Sequence, residues 1–338
     1  MIKRLWLLDT AETLPYKNLA VEEYLTMNVP EETCILFLWR NRHTVVIGRN
    51  QNLLKECDVE RAEKDGIFMV RRLSGGGAVF HDLGNLNFTF IVRKEDYDIS
   101  RQIGVILAAL ENLGITAEQT GRNDVTVCGA KISGNAFYRM SGRCYHHGTL
   151  LIDTDKNKIE KYLRVSKEKL ALKGVDSVKS RVANLRDFKA DITVSEVKEA
   201  LEDAFGRVYG LPVNRLSEET LPSGTIDPLV QRYLSEEWNR GENRFYNRRL
   251  KQRFDWGDIE MLLQIKKGIV KEADIYSDAM DQDYISRMKT SLAGCESSKE
   301  RLTAAIDRVA VSQNNLSDSM IERIRSDVKA LIQNSDLQ

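Results

Sequence analysis

The stretch Val70–Phe90, VRRLSGGGAVFHDLGNLNFTF, carries the reading of this chain. Ile67–Val70 is apolar, and Leu86, Phe88 and Phe90 alternate with polar residues. Both flanks therefore predict strands, the second of them half-buried. Arg71 and Arg72 lead into Gly75-Gly76-Gly77, so the glycines sit between two strands. Consecutive glycines admit positive φ and let a ligand approach the main chain closely. Their N–H groups can face an anion. An arginine just before them can grip a phosphate or carboxylate with two parallel hydrogen bonds. A tight hairpin loop with solvated arginines is the competing reading, since turns commonly use glycine. The loop is not a P-loop, because no Lys-Ser/Thr follows it, and it lacks the G-x-G-x-x-G spacing with a following helix. A nucleotide bound here would rest on a sheet.

The whole chain narrows the function classes. Its 338 residues suit one large domain and one small one. Lys+Arg and Asp+Glu are 50 each, so no global field recruits nucleic acid. The five cysteines, Cys34, Cys57, Cys128, Cys144 and Cys295, include no C-x-x-C pair and suggest neither a zinc site nor a disulfide framework. No apolar run is long enough to span a bilayer, and a reducing cytoplasm is the expected location.

On the N-terminal side, Leu5–Leu8 predicts a strand and Asn18–Leu25 a helix. Glu22 and Glu23 are expected on its solvated face, a pocket role being the other reading. Thr33–Trp39 and Thr44–Ile47 predict a strand hairpin with the polar turn Arg40–His43. Arg49 is either an anion contact or a solvated loop residue. On the C-terminal side, Asp98 caps a packing helix that stops at Gly114. Thr193 and Glu196 form a capping box for a helix ending before Gly210. Arg232–Arg253, with Gly241 and Asn243, reads as a basic solvated linker, or as a hinge or contact for an acidic partner. Ile259–Ile265 and Ile269–Ile275 predict a strand pair around Lys266-Lys267-Gly268, followed by helices near Tyr284–Leu292, Ser298–Val309 and Ser317–Ile332. The domains expected are residues 1–245 and 246–338.

Four features remain: Arg72 with the glycine loop, Asn123-Asp124, Lys131 in a Gly/Ser-rich turn, and His146-His147. Each has a plain explanation on its own. A lone lysine in a turn is commonly solvated, and Asn-Asp after Gly-Arg is ordinary turn chemistry. Adjacent histidines on a strand point to opposite faces, so at most one of them faces a given pocket.

Together, the order RRxSGGGAVFHD–GNLNFTF, GRND, KISGNA and HHGTLL resembles the lipoate–protein ligase A family. Leu19–Glu23, Leu36–Asn41, Val45–Arg49 and the segment 177–185 (SVKSRVANL) extend the resemblance over essentially the whole chain. It implies an α+β fold of the biotin/lipoate-ligase type, a mostly antiparallel sheet with flanking helices, plus a small C-terminal α+β domain. It also implies an adenylate-forming ligase that converts lipoate and ATP to lipoyl-AMP with release of pyrophosphate. The lipoyl group then passes to a lysine of apo lipoyl domains of 2-oxo-acid dehydrogenases or of the glycine cleavage H protein. Lys131 is the implied catalytic residue, contacting both substrates. Arg72, Gly77, Ala78, Val79, Phe80, Asn123 and Asp124 are implied for ATP, and Asp124 for Mg²⁺. Ser74, Gly76, Ser133, Gly134, Ala136 and His147 are implied for lipoate, with Trp39, Val46 and Leu19 as candidates for the apolar slot. A monomer is expected, with neither nucleic acid nor membrane as partner, and with a domain rotation between adenylation and transfer. One departure is Cys128-Gly129, where an acidic residue is expected before the glycine. It keeps open an acyltransferase with a cysteine nucleophile, Cys128 or Cys144. A module without catalysis, and lipoate transfer between proteins, are further alternatives.

Overall fold

The computed structural model describes residues 1–121, 123–164, 182–241, 245–310 and 318–337. Arg122, Asn243, Ser317 and residues 177–181 of the family-like segment lie outside them. The chain divides into two compact units. The first comprises Met1–Val46, Leu53–Arg71 and Ala78–Asn239. The second comprises Ile47–Asn52, Arg72–Gly77 and Arg240–Gln338.

Through β11, the described strands are β1 (Arg4–Asp9), β2 (Thr33–Trp39), β3 (Thr44–Ile47), β4 (Phe68–Arg71), β5 (Val79–His81), β6 (Asn85–Arg93), β7 (Glu118–Thr120), β8 (Asp124–Val127), β9 (Ala130–Met140), β10 (Arg143–Leu151) and β11 (Val213–Arg215). Eight of them form one sheet in the order β11-β1-β2-β6-β10-β9-β8-β7. The pairs β1/β11 and β1/β2 are parallel, and the pairs from β2 through β7 are antiparallel. Strands β4, β3 and β5 make a small second sheet, which corrects the expected hairpin: β2 pairs with β1 and β6 while β3 joins β5, so the turn Arg40–His43 carries the chain from one sheet to the other.

Period-two alternation gives the large sheet two distinct faces. Leu36 and Leu38, Leu86, Phe88 and Phe90, Val125 and Val127, and Leu150 enter one hydrophobic core. The helices Ile99–Asn112 and Val194–Tyr209 cover that face. Asp98 caps the first by accepting from the Arg101 N–H. The second has the Thr193/Glu196 capping box and ends at Gly210 with φ 67°. The opposite face presents Phe37 and Trp39, then Asn85, Asn87 and Thr89, then Tyr145, His147 and Thr149, in register across β2, β6 and β10. The helix Pro15–Asn28 packs on this second face.

That helix corrects one expectation. Glu22 and Glu23 are 2% and 6% exposed and do not form a solvated face. Glu22 turns toward β6 and β10. Glu23 accepts from the Tyr233 hydroxyl at 2.8 Å and pairs with Arg232 on the helix Ser223–Leu234, so both sides of the first helix are covered.

In the second unit, β12 (Arg248–Phe254), β13 (Gly257–Lys266) and β14 (Ile269–Ser277) form an antiparallel meander. Lys267 and Gly268, with φ 51° and 72°, close the tight turn between β13 and β14. The helices Gln282–Leu292, Lys299–Asp307 and Asp318–Gln333 complete this unit's core, which includes Met261, Leu263, Ile285, Leu302 and Ile324. The basic stretch Arg232–Arg253 is therefore ordered structure where it is described, not a solvated linker. Arg249 pairs with Glu260 at 2.6 Å and Arg253 with Asp258 at 2.7 Å. Among the described residues no helix is long and apolar enough to cross a membrane.

Candidate active site

Lys131 stands on a strand. The turn comes one step earlier, at Cys128 and Gly129, whose φ values of 49° and 79° close the β8–β9 hairpin between Val127 and Ala130. The expectation of Lys131 in a turn is corrected accordingly. The register then shifts: Val125 pairs with Ser133 and Thr126 with Lys131, leaving Ile132 as an extra residue. Such a bulge re-aims neighbouring side chains. Here Ile132 enters the core, and Lys131 Nζ donates to Asp124 Oδ1 at 2.6 Å. Both side chains are about a quarter exposed, 27% and 24%. A Cβ on Gly134 would lie 3.0 Å from Lys131 Nζ, so the glycine gives the ammonium its space.

Asn123 clasps the two strands next to this pair. Its Nδ2 donates to Asn135 O at 2.9 Å, and the backbone N–H and Nδ2 of Asn135 both donate to Asn123 O. Its side chain therefore fixes the start of β8 and with it Asp124. Ser133 pairs with Val125, a core residue, and its Oγ accepts from Asn135 Nδ2 at 3.4 Å. Its side chain therefore lies on the helix-covered face, and only its main chain is on offer at the site.

The two histidines of β10 divide as alternation requires. His146 is fully buried against Phe88, Phe90 and Phe137. Its Nε2 lies 2.8 Å from Asn135 Oδ1, an acceptor, which selects the Nε2–H tautomer. Burial, and secondarily His147, lowers its pKa to about 3. His147 is on the other face, opposite the small Ala136. Its Nδ1 lies 2.8 Å from Glu22 Oε1, which also accepts from Thr89 Oγ1 at 2.7 Å. The Trp39 indole N–H donates to Thr89 Oγ1 at 3.0 Å. Glu22, Thr89, His147 and Trp39 thus form one hydrogen-bonded group; Leu19 and Val46 are both buried.

Register continues the site sideways. Trp39 pairs with Asn87, Asn87 with Thr149, and Asp124 with Gly134, while the Gly134 N–H donates to Thr149 Oγ1 at 3.2 Å. One row of the sheet thus runs from the indole to the Lys131–Asp124 pair. Asn85 Nδ2 donates to Asn87 Oδ1 at 3.0 Å, which leaves Asn85 Oδ1 and Asn87 Nδ2 buried without a partner. Each such orphan costs about 1–3 kcal/mol.

Asn87 and Thr89 escaped the sequence reading, and for Glu22 the pocket role was only the second reading. The signal was present: Asn85, Asn87 and Thr89 are the polar half of the alternation whose apolar half is Leu86, Phe88 and Phe90. A strand covered on both faces that keeps polar residues on one of them is hydrogen-bonding something there.

Arg72, Ser74, Gly76 and Gly77 belong to the second compact unit, whereas Ala78, Val79 and Phe80 belong to the first. The guanidinium of Arg72 folds back into its own loop: Nε donates to Ser74 Oγ at 2.9 Å, and Nη2 to Gly75 O at 2.7 Å and Gly77 O at 2.8 Å. Gly76 takes φ 86°, and Gly77 is exposed with nothing within 4 Å of an added Cβ. Arg49 donates its backbone N–H to Ser74 O at 2.9 Å, steadying the loop by its main chain. Val79 and Phe80 lie on β5, an edge strand paired on one side with Val46 and Val45. An edge strand turns alternate N–H and C=O groups outward. The Phe80 ring stacks on Tyr162, centroids 5.6 Å apart. Arg71 is a structural residue: its guanidinium donates to the carbonyls of Trp238 and Asn239 at 2.9 and 2.7 Å.

Among the described residues no three His, Cys, Asp or Glu side chains group into a metal site. Asp124 alone would suit Mg²⁺, which takes one or two carboxylates and completes its shell with waters and substrate phosphates. Cys144 fits nucleophilic catalysis poorly. Cys144 is buried and its pKa is pushed up to about 11, chiefly by desolvation. Cys128 is exposed in the hairpin turn.

The family model described as the lipoyl protein ligase A/B catalytic domain matches residues 14–206, and that of the bacterial lipoate protein ligase C-terminus matches residues 243–325. A lipoate-protein ligase A of Psychrobacter cryohalolentis is 40% identical over 90% of this chain and 93% of its own length. The crystal structure of P. falciparum LipL1 in complex with lipoate superimposes with a TM-score of 0.84 at 28% identity, covering 96% of this chain and 99% of that one. A lipoate-protein ligase A bound with ATP gives 0.59 at 29% identity, covering 71% and 99%. An archaeal bipartite lipoate protein ligase from Thermoplasma acidophilum, studied with its E2 lipoyl domain, gives 0.61 at 31%, covering 72% and 98%. With both family models matched and a ligase relative alongside nearly its full length, the chain belongs to the lipoate–protein ligase A family.

Proposed function

We propose that the chain is an ATP-dependent lipoate–protein ligase working in two half-reactions. In the first, a lipoate carboxylate oxygen bonds to the α-phosphorus, the bond to the bridging oxygen breaks, and pyrophosphate leaves. In the second, a neutral acceptor lysine attacks the acyl carbon, AMP departs, and the nitrogen loses one proton. The observation that carries this reading is the Lys131 ammonium, held by Asp124 on a bulged strand with Gly134 clearing its side. Carboxylate and phosphate repel each other, and a fixed cation between them offsets that repulsion and stabilises charge on the phosphoryl and later the carbonyl oxygen.

The other residues take roles by position. Glu22 and Thr89 fix the His147 ring, and Trp39, Leu19 and Val46 supply apolar surface for the lipoyl chain. Ala136 and Gly134 keep the floor of the slot low. Arg72 holds the Ser74–Gly77 main chain in shape within its own unit, and Val79 and Phe80 on β5, an edge strand among the described residues, offer backbone groups to the nucleotide's base. Asn123 positions Asp124, which would hold Mg²⁺, and that ion would screen the phosphates when bound. Apo lipoyl domains and the H protein are the acceptor classes that fit.

Intact mass of an apo lipoyl domain, incubated with enzyme, lipoate and Mg-ATP and again without ATP, tests this reading. A lipoyl mass gain only with ATP, abolished by Lys131→Ala, is the expected result. No gain from lipoate with ATP, but a gain without ATP when an acyl-carrier thioester is the acyl donor, would replace it with an acyltransferase.

A further inference from the structure

Asn85 and Asn87 are 0% and 2% exposed, on the same face of β6 as Thr89. Thr89 already donates to Glu22 and accepts from Trp39. The two asparagines bond to each other and leave one donor, Asn87 Nδ2, and one acceptor, Asn85 Oδ1, buried and unpartnered. Exchanging oxygen and nitrogen in both amides still leaves one donor and one acceptor. A pair of apolar residues would fill this position without that penalty. The pair is also placed for substrate, since Asn87 shares its row with Thr149, Gly134 and the Asp124–Lys131 pair.

The chemistry of the orphans selects between the two substrates. Ionised lipoate offers acceptors only, so it satisfies Asn87 Nδ2 and leaves Asn85 Oδ1 unpaired. The nucleoside of ATP carries both kinds of group, as ribose hydroxyls and as the adenine ring nitrogens with the exocyclic amine. We propose that Asn87, paired with Asn85, is a specificity-determining contact for the nucleoside of the nucleotide substrate, supplying one donor and one acceptor to a group that both accepts and donates. This rests on the ligase reading above and adds a residue to it.

The test separates the two. ATP binding is measured by calorimetry, and adenylate formation by pyrophosphate release, for the wild-type enzyme, Asn87→Asp and Asn87→Leu. Asn87→Asp keeps the shape and replaces the donor with an acceptor. Both variants are expected to weaken ATP binding and raise the KM for ATP about tenfold, with the KM for lipoate unchanged. Because Asn87→Leu alone strips Asn85 Nδ2 of its acceptor, the stability control is the double variant Asn85→Leu/Asn87→Leu, which removes both buried amides and should melt no lower than wild type. Three analogues, 2′-deoxy-ATP, 3′-deoxy-ATP and purine riboside triphosphate, then locate the contact. The analogue lacking the bonded group should bind worse than ATP to the wild-type enzyme and equally to Asn87→Asp. Equal discrimination by wild type and variants against all three, or unchanged ATP affinity in Asn87→Leu, would overturn the assignment and leave the pair bridged by water. A wild-type enzyme that binds ATP with this discrimination but releases no pyrophosphate would count against the ligase reading alone.

Discussion

Cys128 and Gly129 both sit at positive φ, 49° and 79°, in the two-residue turn that delivers Lys131 onto β9. Hairpin turns of this kind favour Asn-Gly and Asp-Gly, because Asn and Asp tolerate the left-handed region far better than other side chains. The cysteine is thus an unfavoured residue at a position defined by backbone geometry, and its thiol is exposed. Cys128→Asn is expected to raise stability by about 0.5–1 kcal/mol in urea unfolding while leaving ATP-dependent lipoylation intact. Loss of activity in a variant that melts at or above the wild-type temperature would make Cys128 a nucleophile and revive the acyltransferase alternative. Lys131 shows the limit of reading single residues. Its Gly/Ser-rich surroundings suggested a turn, yet Gly134 serves to clear space beside the ammonium within a strand.

At the level of elements, β10 puts one histidine to each use. His147 faces Glu22, and His146 is sealed among three phenylalanines with a pKa of about 3. Unfolding restores an ordinary pKa near 6.5, so below that value the unfolded chain binds a proton that the native state refuses. Native stability therefore has its full value above pH 6.5 and falls with pH down to about 3. The loss from this group alone amounts to about 2 kcal/mol between pH 8 and pH 5. His146→Gln keeps a donor for Asn135 Oδ1 and cannot titrate, so its unfolding free energy should be flatter by that amount over the same range. Parallel pH dependences for variant and wild type would show that His146 does not titrate on unfolding. The elements themselves were largely legible. The strands at Thr33–Trp39 and Thr44–Ile47, the Asp98 cap and the Thr193/Glu196 capping box all rest on local periodicity or local hydrogen bonds, and all are present. Glu22 and Glu23 were not legible, because the groups that justify their burial are 125 and 210 residues away, at His147 and Tyr233. A charged residue on a helix looks solvated until its distant partner is known. The donor–acceptor pair at Asn85 and Asn87 was hidden differently, since only the apolar half of the alternation was weighed.

At the scale of the whole molecule, the glycine loop Arg72–Gly77 is covalently part of the sheet-bearing sequence but belongs to the compact unit built around residues 240–338. Within that unit the Gly76 N–H donates to Ala279 O at 3.3 Å, and Asn50 O accepts from the Ser277 N–H at 2.8 Å. Gly75 is the tightest point on the Ala279–Met280 side: a Cβ there would lie 2.5 Å from Ala279 O and 2.9 Å from Met280 O. Both are backbone atoms, so no rotamer change relieves the clash and the loop itself must move. Gly77, two residues on, has open space where a Cβ would go. The two glycines therefore make a matched pair of probes. Gly75→Ala is expected to cost about 1–3 kcal/mol of stability, as overpacking does, and to raise the KM for ATP because the displaced loop no longer presents Gly76 and Gly77 correctly. Gly77→Ala is expected to stay within about 0.5 kcal/mol of wild type in unfolding, and to raise the KM for ATP only by crowding the bound nucleotide. Urea unfolding and adenylate formation on the two variants distinguish these effects. Two stable variants would mean that residues 279–280 do not constrain the loop in solution. Two variants with unchanged KM for ATP would show that Gly75–Gly77 do not contact the nucleotide.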